Sequence, residues 1–144
     1  MVTATDTTFL FSLYGNDSNS SHATAWCKRA ARSVSISPLN RFELINSLRF
    51  AEFRKALKSG EAATLLELFH QAITAERLIE TTCNLADVLA EATRLSAIHT
   101  LSGGHRGFDI LHVAAARIMG ATHFLTFNAN QKRLANAAGL KLPL

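Results

Sequence analysis

Short apolar runs alternate with segments of helical period along nearly the whole of this 144-residue chain, and that alternation restricts the fold more than any other feature. Val2 to Thr5, Ser33 to Ser37, Leu78-Ile79 and Thr122 to Phe127 read as strands. Helical patterns separate them: Thr7 to Tyr14, His22 to Arg32, Pro38 to about Lys58, Glu61 to Ala75, Asn84 to His99, Phe108 to Met119 and Asn128 to Ala138. Strands separated by helices pair in parallel, so the expectation is a three-layer α/β/α domain with a mainly parallel central sheet. Residues 1–144 read as one domain carrying a helical hairpin at about 38–75, and Leu140 to Leu142 as a short closing strand.

Local chemistry supports several boundaries. Ser37-Pro38 places a good N-cap before a proline at the first helical position. Gly15-Asn16-Asp17-Ser18-Asn19-Ser20 and Ser102-Gly103-Gly104-His105-Arg106-Gly107 are polar loops. Hydrophobic residues at 48% with 18% charged residues exclude intrinsic disorder. Two cysteines, Cys27 and Cys83, are too few for a disulfide scaffold, read as inert core fillers, and make a reducing cytoplasmic compartment the expectation. No run reaches the ~18 apolar residues of a membrane span. Fifteen basic against 11 acidic residues give a net charge of +4, which favours a polyanionic partner without specifying one.

In a parallel sheet, ligands bind outside the carboxyl ends of the strands. Asp6 and Asn128 both end a strand and open a helix, and Asp109 lies in the first turn of another. Each has a sufficient local explanation, Asp6 and Asn128 as helix caps and Asp109 as a complement to the helix dipole. Asn128-x-x-Gln131 also has the spacing of a capping box. Glu43 sits on a polar stripe with Asn40, Asn46 and Ser47, beside Leu39, Leu48 and Phe50 as expected core positions. That stripe is either a solvated face or a carboxylate directed into a pocket. Three carboxylates in one cleft would repel by about 3 kcal/mol per pair at ~5 Å and an effective dielectric near 20. They would raise one another's pKa or recruit a divalent cation, and for a cation, oxygen donors without zinc-type Cys/His spacing imply Mg²⁺ or Mn²⁺.

Taken in order, Asp6-Thr7-Thr8, Ser37-Pro38-Leu39-x-x-x-Glu43-Leu44, Arg106-Gly107-Phe108-Asp109-Ile110-Leu111-His112 and Phe124-Leu125-Thr126-Phe127-Asn128-x-x-Gln131 resemble the PIN-domain ribonucleases, and among them the VapC-type toxins of bacterial toxin–antitoxin pairs. Their order and spacing carry the resemblance, with successive acidic or amide positions 37, 66 and 19 residues apart. It implies a Mg²⁺- or Mn²⁺-dependent endoribonuclease that cleaves RNA. Its catalytic pocket would comprise Asp6, Glu43, Asp109 and Asn128, with Asp6, Asp109 and Glu43 as metal ligands. Asn128 stands where many members carry a fourth aspartate, so a weakened or silent binding module is the alternative. The partners implied are RNA, a cognate antitoxin and a second copy of the chain.

Arg106 could hold an RNA phosphate or be simply solvated. His112, among Ile110, Leu111 and Val113, reads as a packed core histidine ahead of a ligand or proton carrier. The hairpin residues Phe50, Phe53, Leu57, Phe69 and Ile73 supply core, with the excess a candidate groove for a partner helix. Arg49, Arg54, Lys55 and Lys58 face either RNA phosphates or solvent. A nucleotide-binding regulator is disfavoured, because the glycine loop lacks the Gly-Lys-Ser/Thr of a phosphate-binding loop.

Overall fold

A computed structural model describes residues 1–144. The strands are β1 (Thr3–Thr5), β2 (Val34–Ile36), β3 (Leu78–Glu80) and β4 (His123–Leu125). The helices are α1 (Thr7–Tyr14), α2 (Ser20–Ala30), α3 (Pro38–Phe53), α4 (Glu61–Thr74), α5 (Leu85–Gly103), α6 (Gly107–Ile118) and α7 (Ala129–Ala137). The sheet runs in the order β3-β2-β1-β4, and every pairing is parallel. Ala4 is in register with Ser35 on one side and Phe124 on the other. This puts the chain's first and last strands side by side at the point where the strand order reverses, where an open parallel sheet forms its cleft.

Two apolar layers sandwich the sheet. Phe9, Trp26, Leu44, Leu48 and Phe69 join Ile36, Leu78 and Leu125 on the face covered by α1–α4. Val88, Leu95, Val113 and Leu134 join Ala4 and Phe124 on the face covered by α5–α7. Leu125 and Phe124 belong to opposite layers, as the two-residue period of a strand requires. Ala114, Ala115 and Ala116 of α6 are fully buried. Their small side chains let the α6 backbone lie close to its neighbours, which brings the amino end of that helix up to the sheet edge.

The polar first strand is buried as well. Thr5 satisfies its hydroxyl by donating to the Leu125 carbonyl across the β1–β4 seam. Several boundaries differ from the sequence reading; α2 runs Ser20–Ala30 instead of His22 to Arg32, and β2 and β4 are shorter than read. The helix beginning at Pro38 stops at Phe53 instead of Lys58, because Lys55 takes a left-handed φ of 61° and turns Leu57 back into the core. Helix α5 continues to Gly103, and Gly104 at φ 63° caps it by donating its N–H to Thr100. The closing strand reduces to one parallel bridge between His123 and Lys141. The cysteines are half-buried at the margins of the two layers instead of inside them.

Candidate active site

The site is assembled at the carboxyl ends of β1 and β4. Asp6 leaves β1 and caps α1, and only 2% of it is exposed. Its Oδ1 accepts from the Phe9 N–H at 3.1 Å and the Thr8 hydroxyl at 2.7 Å; Oδ2 accepts from the Thr126 hydroxyl at 2.5 Å. Burial pushes the Asp6 carboxyl above the ordinary aspartate range, and the hydrogen bonds from Thr126, Thr8 and the Phe9 N–H pull it partly back. Thr126 ties two elements together, because its oxygen also accepts from the Asn128 N–H at 3.0 Å.

Glu43, on the second turn of α3, is directed towards α6. Its Oε1 lies 3.2 Å from His112 Nε2, and His112 is 2% exposed. The same ring nitrogen is 3.2 Å from Thr7 Oγ1, and Nδ1 is 3.3 Å from Asn40 Nδ2. His112 is therefore buried, as the apolar pattern around it suggests, but both of its nitrogens face polar partners from other elements. Half-burial would raise the Glu43 carboxyl; the hydrogen bond from His112 outweighs it and holds the group below its ordinary value.

Asp109, in the first turn of α6, is shifted the opposite way. Burial raises it and the neighbouring charge of Glu43 adds to this, the repulsion expected of acids in one pocket, against Arg106.

Asn128 caps α7 by accepting from the Gln131 N–H at 2.9 Å. The reciprocal half of the capping box is absent, since the Gln131 amide instead donates to the Asp109 carbonyl at 2.9 Å and so fixes the start of α6. Arg106 is the N-cap residue of α6, exposed and without a side-chain capping bond.

A cleft of about 290 Å³ opens beside Glu43, with Thr7, Thr8, Ser12, Asp17 and Ser47 among its lining residues. Asp17 was not legible as a site residue, because it lies in a polar turn; there it accepts from the Ser12 hydroxyl at 2.8 Å. Thr8 and Thr126 were missed too, and their only sequence signal is adjacency to Asp6 and Asn128.

The oxygen-only donors suit a hard divalent cation in type. Their arrangement does not provide a ready cage: no three His, Cys, Asp or Glu side chains are gathered around one point, and both Asp6 oxygens are engaged by Thr8, Thr126 and Phe9. The residues as placed do not fit a three-carboxylate metal site.

Comparisons with known proteins agree with this architecture. The chain resembles VapBC2 from Rickettsia felis, solved bound to a DNA fragment from their promoter, with 19% identity and a TM-score of 0.67 over 99% of this chain and 97% of that one. It resembles FitAcB from Neisseria gonorrhoeae with 17% identity and a TM-score of 0.67 over 98% and 96%. PAE2754 from Pyrobaculum aerophilum gives 17% identity and 0.57 over 99% and 83%. A search of curated proteins found no significant match. The PIN domain family profile matches residues 4–137, which include both sheet layers and every acidic residue described above, and the chain belongs to the PIN domain family.

Proposed function

We propose that this protein is an endoribonuclease that depends on Mg²⁺ or Mn²⁺ and acts as the toxin of a toxin–antitoxin pair. The observation that carries the reading is the placement of Asp6 at the end of β1 and of Glu43 against His112 on α6, the helix whose first turn holds Asp109, in a PIN domain. Cation dependence rests on the family and on the oxygen-only chemistry of the donors; to share one ion, the three carboxylates would have to converge from their present placement.

What the chain's own groups supply can be stated separately. Glu43, held ionised beside an open cleft, accepts hydrogen bonds from water or a ribose hydroxyl. Asp109 increases the negative field. The exposed Arg106 at the start of α6 offers a cation to an incoming phosphate. The positive balance of the rest of the surface favours RNA over an uncharged substrate.

The exposed Phe50 and Phe53 near the end of α3 are the surface proposed for the antitoxin, and a second copy of the chain completes the assembly. The VapBC2 and FitAcB likenesses support a partner of this kind.

A second reading, a PIN module with weakened or no catalysis, is favoured by one observation. Asn128 is uncharged, and its oxygen is already used to cap α7. The test is RNA cleavage with Mn²⁺ and with EDTA by wild type, Asp6→Asn, Asp109→Asn and the double variant. Cleavage that requires the cation and disappears in the double variant supports the nuclease. Cleavage that persists in it overturns the site. Silence of the wild type with activity in Asn128→Asp establishes the second reading.

A further inference from the structure

Asn40 is fixed at both ends of its amide. Its Oδ1 accepts from the Ser37 N–H at 2.8 Å and the Ser37 hydroxyl at 3.1 Å, and its Nδ2 donates to the Thr5 carbonyl at 3.1 Å. Rotating the amide by 180° would set two donors face to face at Ser37 and two acceptors at Thr5, so its orientation is determined by the main chain. The second Nδ2 hydrogen then points along the 3.3 Å contact to His112 Nδ1. A donor there requires an acceptor, which means Nδ1 is bare and the ring hydrogen resides on Nε2.

Nε2 faces Glu43 Oε1 and Thr7 Oγ1, both at 3.2 Å. The carboxylate can only accept, so the ring hydrogen on Nε2 is directed at Glu43, with Thr7 Oγ1 a second acceptor at the same distance. From Asn40 to His112 each amide and ring hydrogen has an acceptor, and the chain begins at a main-chain N–H and a carbonyl at the ends of β2 and β1. We propose that His112 is a positioning residue: Asn40 holds it as the Nε2–H tautomer, and it thereby aims the Glu43 carboxylate into the cleft.

The inference rests on the nuclease reading only for its effect on rate. Histidines that orient a carboxylate work through the fixed direction of one hydrogen bond. Glu43 is on α3 and its side chain is partly exposed, whereas His112 is buried on α6, so the rigid partner determines where the mobile one points. The ties from Asn40 to Ser37 and Thr5 carry that rigidity to the sheet.

The first measurement is a long-range ¹H–¹⁵N correlation spectrum of the wild-type histidine rings, with His112 identified by contacts from its ring protons to Thr7 and Asn40. A pyrrole-type Nε2 and a pyridine-type Nδ1 are expected; a hydrogen on Nδ1 overturns the proposal. The second compares His112→Gln, which retains a donor near the Nε2 position, with His112→Met, which fills similar volume without one. The Glu43 side-chain carboxyl ¹³C resonance should move in the Met variant and stay near its wild-type position in the Gln variant.

Cleavage should fall about 10- to 100-fold in the Met variant and stay within about threefold of wild type in the Gln variant. Equal losses in the two variants would overturn positioning through the donor. A wild type that does not cleave overturns only the nuclease reading, because the two spectroscopic measurements still decide whether His112 directs Glu43. Should either variant fail to fold, the wild-type tautomer remains decisive.

Discussion

Replacing Thr126 with valine removes a hydroxyl while keeping the shape of the side chain, and a buried carboxylate loses a donor. Asp6 Oδ2 loses its 2.5 Å partner, and the N–H of the exposed Asn128 loses a 3.0 Å acceptor that water can replace. A hydrogen bond to a charged group contributes about 1.5–3 kcal/mol, and about 2 kcal/mol is taken for Asp6. Unfolding entropy of about 2.1 cal/mol/K per residue gives ~0.3 kcal/mol/K for a chain of this length, so Tm should fall by about 7 °C.

The loss should depend on pH with a definite sign. The folded Asp6 carboxyl titrates above its unfolded value of 3.8, so its ionisation costs no stability below that value and an increasing amount as pH rises through the folded value. Removing a hydrogen bond that favours the ionised form widens the gap. The difference in Tm between wild type and Thr126→Val should therefore be larger at pH 7 than at pH 3.5. Asp6→Asn is the counterpart, since it removes the buried charge and retains an acceptor for Phe9. It should match or exceed wild-type Tm at pH 7 while abolishing any cleavage. Differential scanning calorimetry at the two pH values decides the matter. A Thr126→Val Tm within 2 °C of wild type at pH 7 would refute the reasoning.

Other expectations follow from the same geometry. The folded Glu43 carboxyl titrates below its unfolded value of 4.5, so its contribution is present above that pH and lost as pH falls through the folded value; Glu43→Gln should lower the urea midpoint at pH 7, and the difference from wild type should shrink progressively as the pH is lowered below 4.5. Phe69 is fully buried in the layer under α4, and Phe69→Ala should cost about 3–5 kcal/mol in urea unfolding. Gly104 occupies a left-handed position with open space around it, so Gly104→Ala should cost only the backbone strain, about 1–2 kcal/mol, measured the same way. Glu91 pairs with Arg94 and Arg117 at the surface; Glu91→Gln should lower Tm by no more than a few degrees, with the difference reduced in 1 M NaCl.

The order of strands and helices was legible because it is written in hydrophobic period, which is a local property. The Ser37-Pro38 helix start and the Asp6 and Asn128 caps were legible for the same reason. The end of α3 was not, since Arg54 to Lys58 continues in helix-compatible residues and only Lys55's backbone turn ends it. Of the candidate carboxylates, Asp6 came from a strand end, Asp109 from the first turn of a helix and Glu43 from a polar stripe on one. The partners that control them were not legible in this way: His112 meets Asn40, Glu43 and Thr7 across 72, 69 and 105 residues of sequence. Its immediate neighbours are apolar, so local pattern describes a packed side chain and conceals the polar contacts. Gln131 illustrates the converse, because its spacing from Asn128 suggested a cap while its amide serves Asp109.

The pairing of β1 with β4 also orders events in time. Thr126, which completes the hydrogen bonds of Asp6, emerges from the ribosome 120 residues after it. Until β4 is made, β1 can pair with β2 on one side only, and Asp6 lacks its Thr126 donor. The candidate site at this edge is therefore completed only after β4 has been synthesised, well after the strand that begins it.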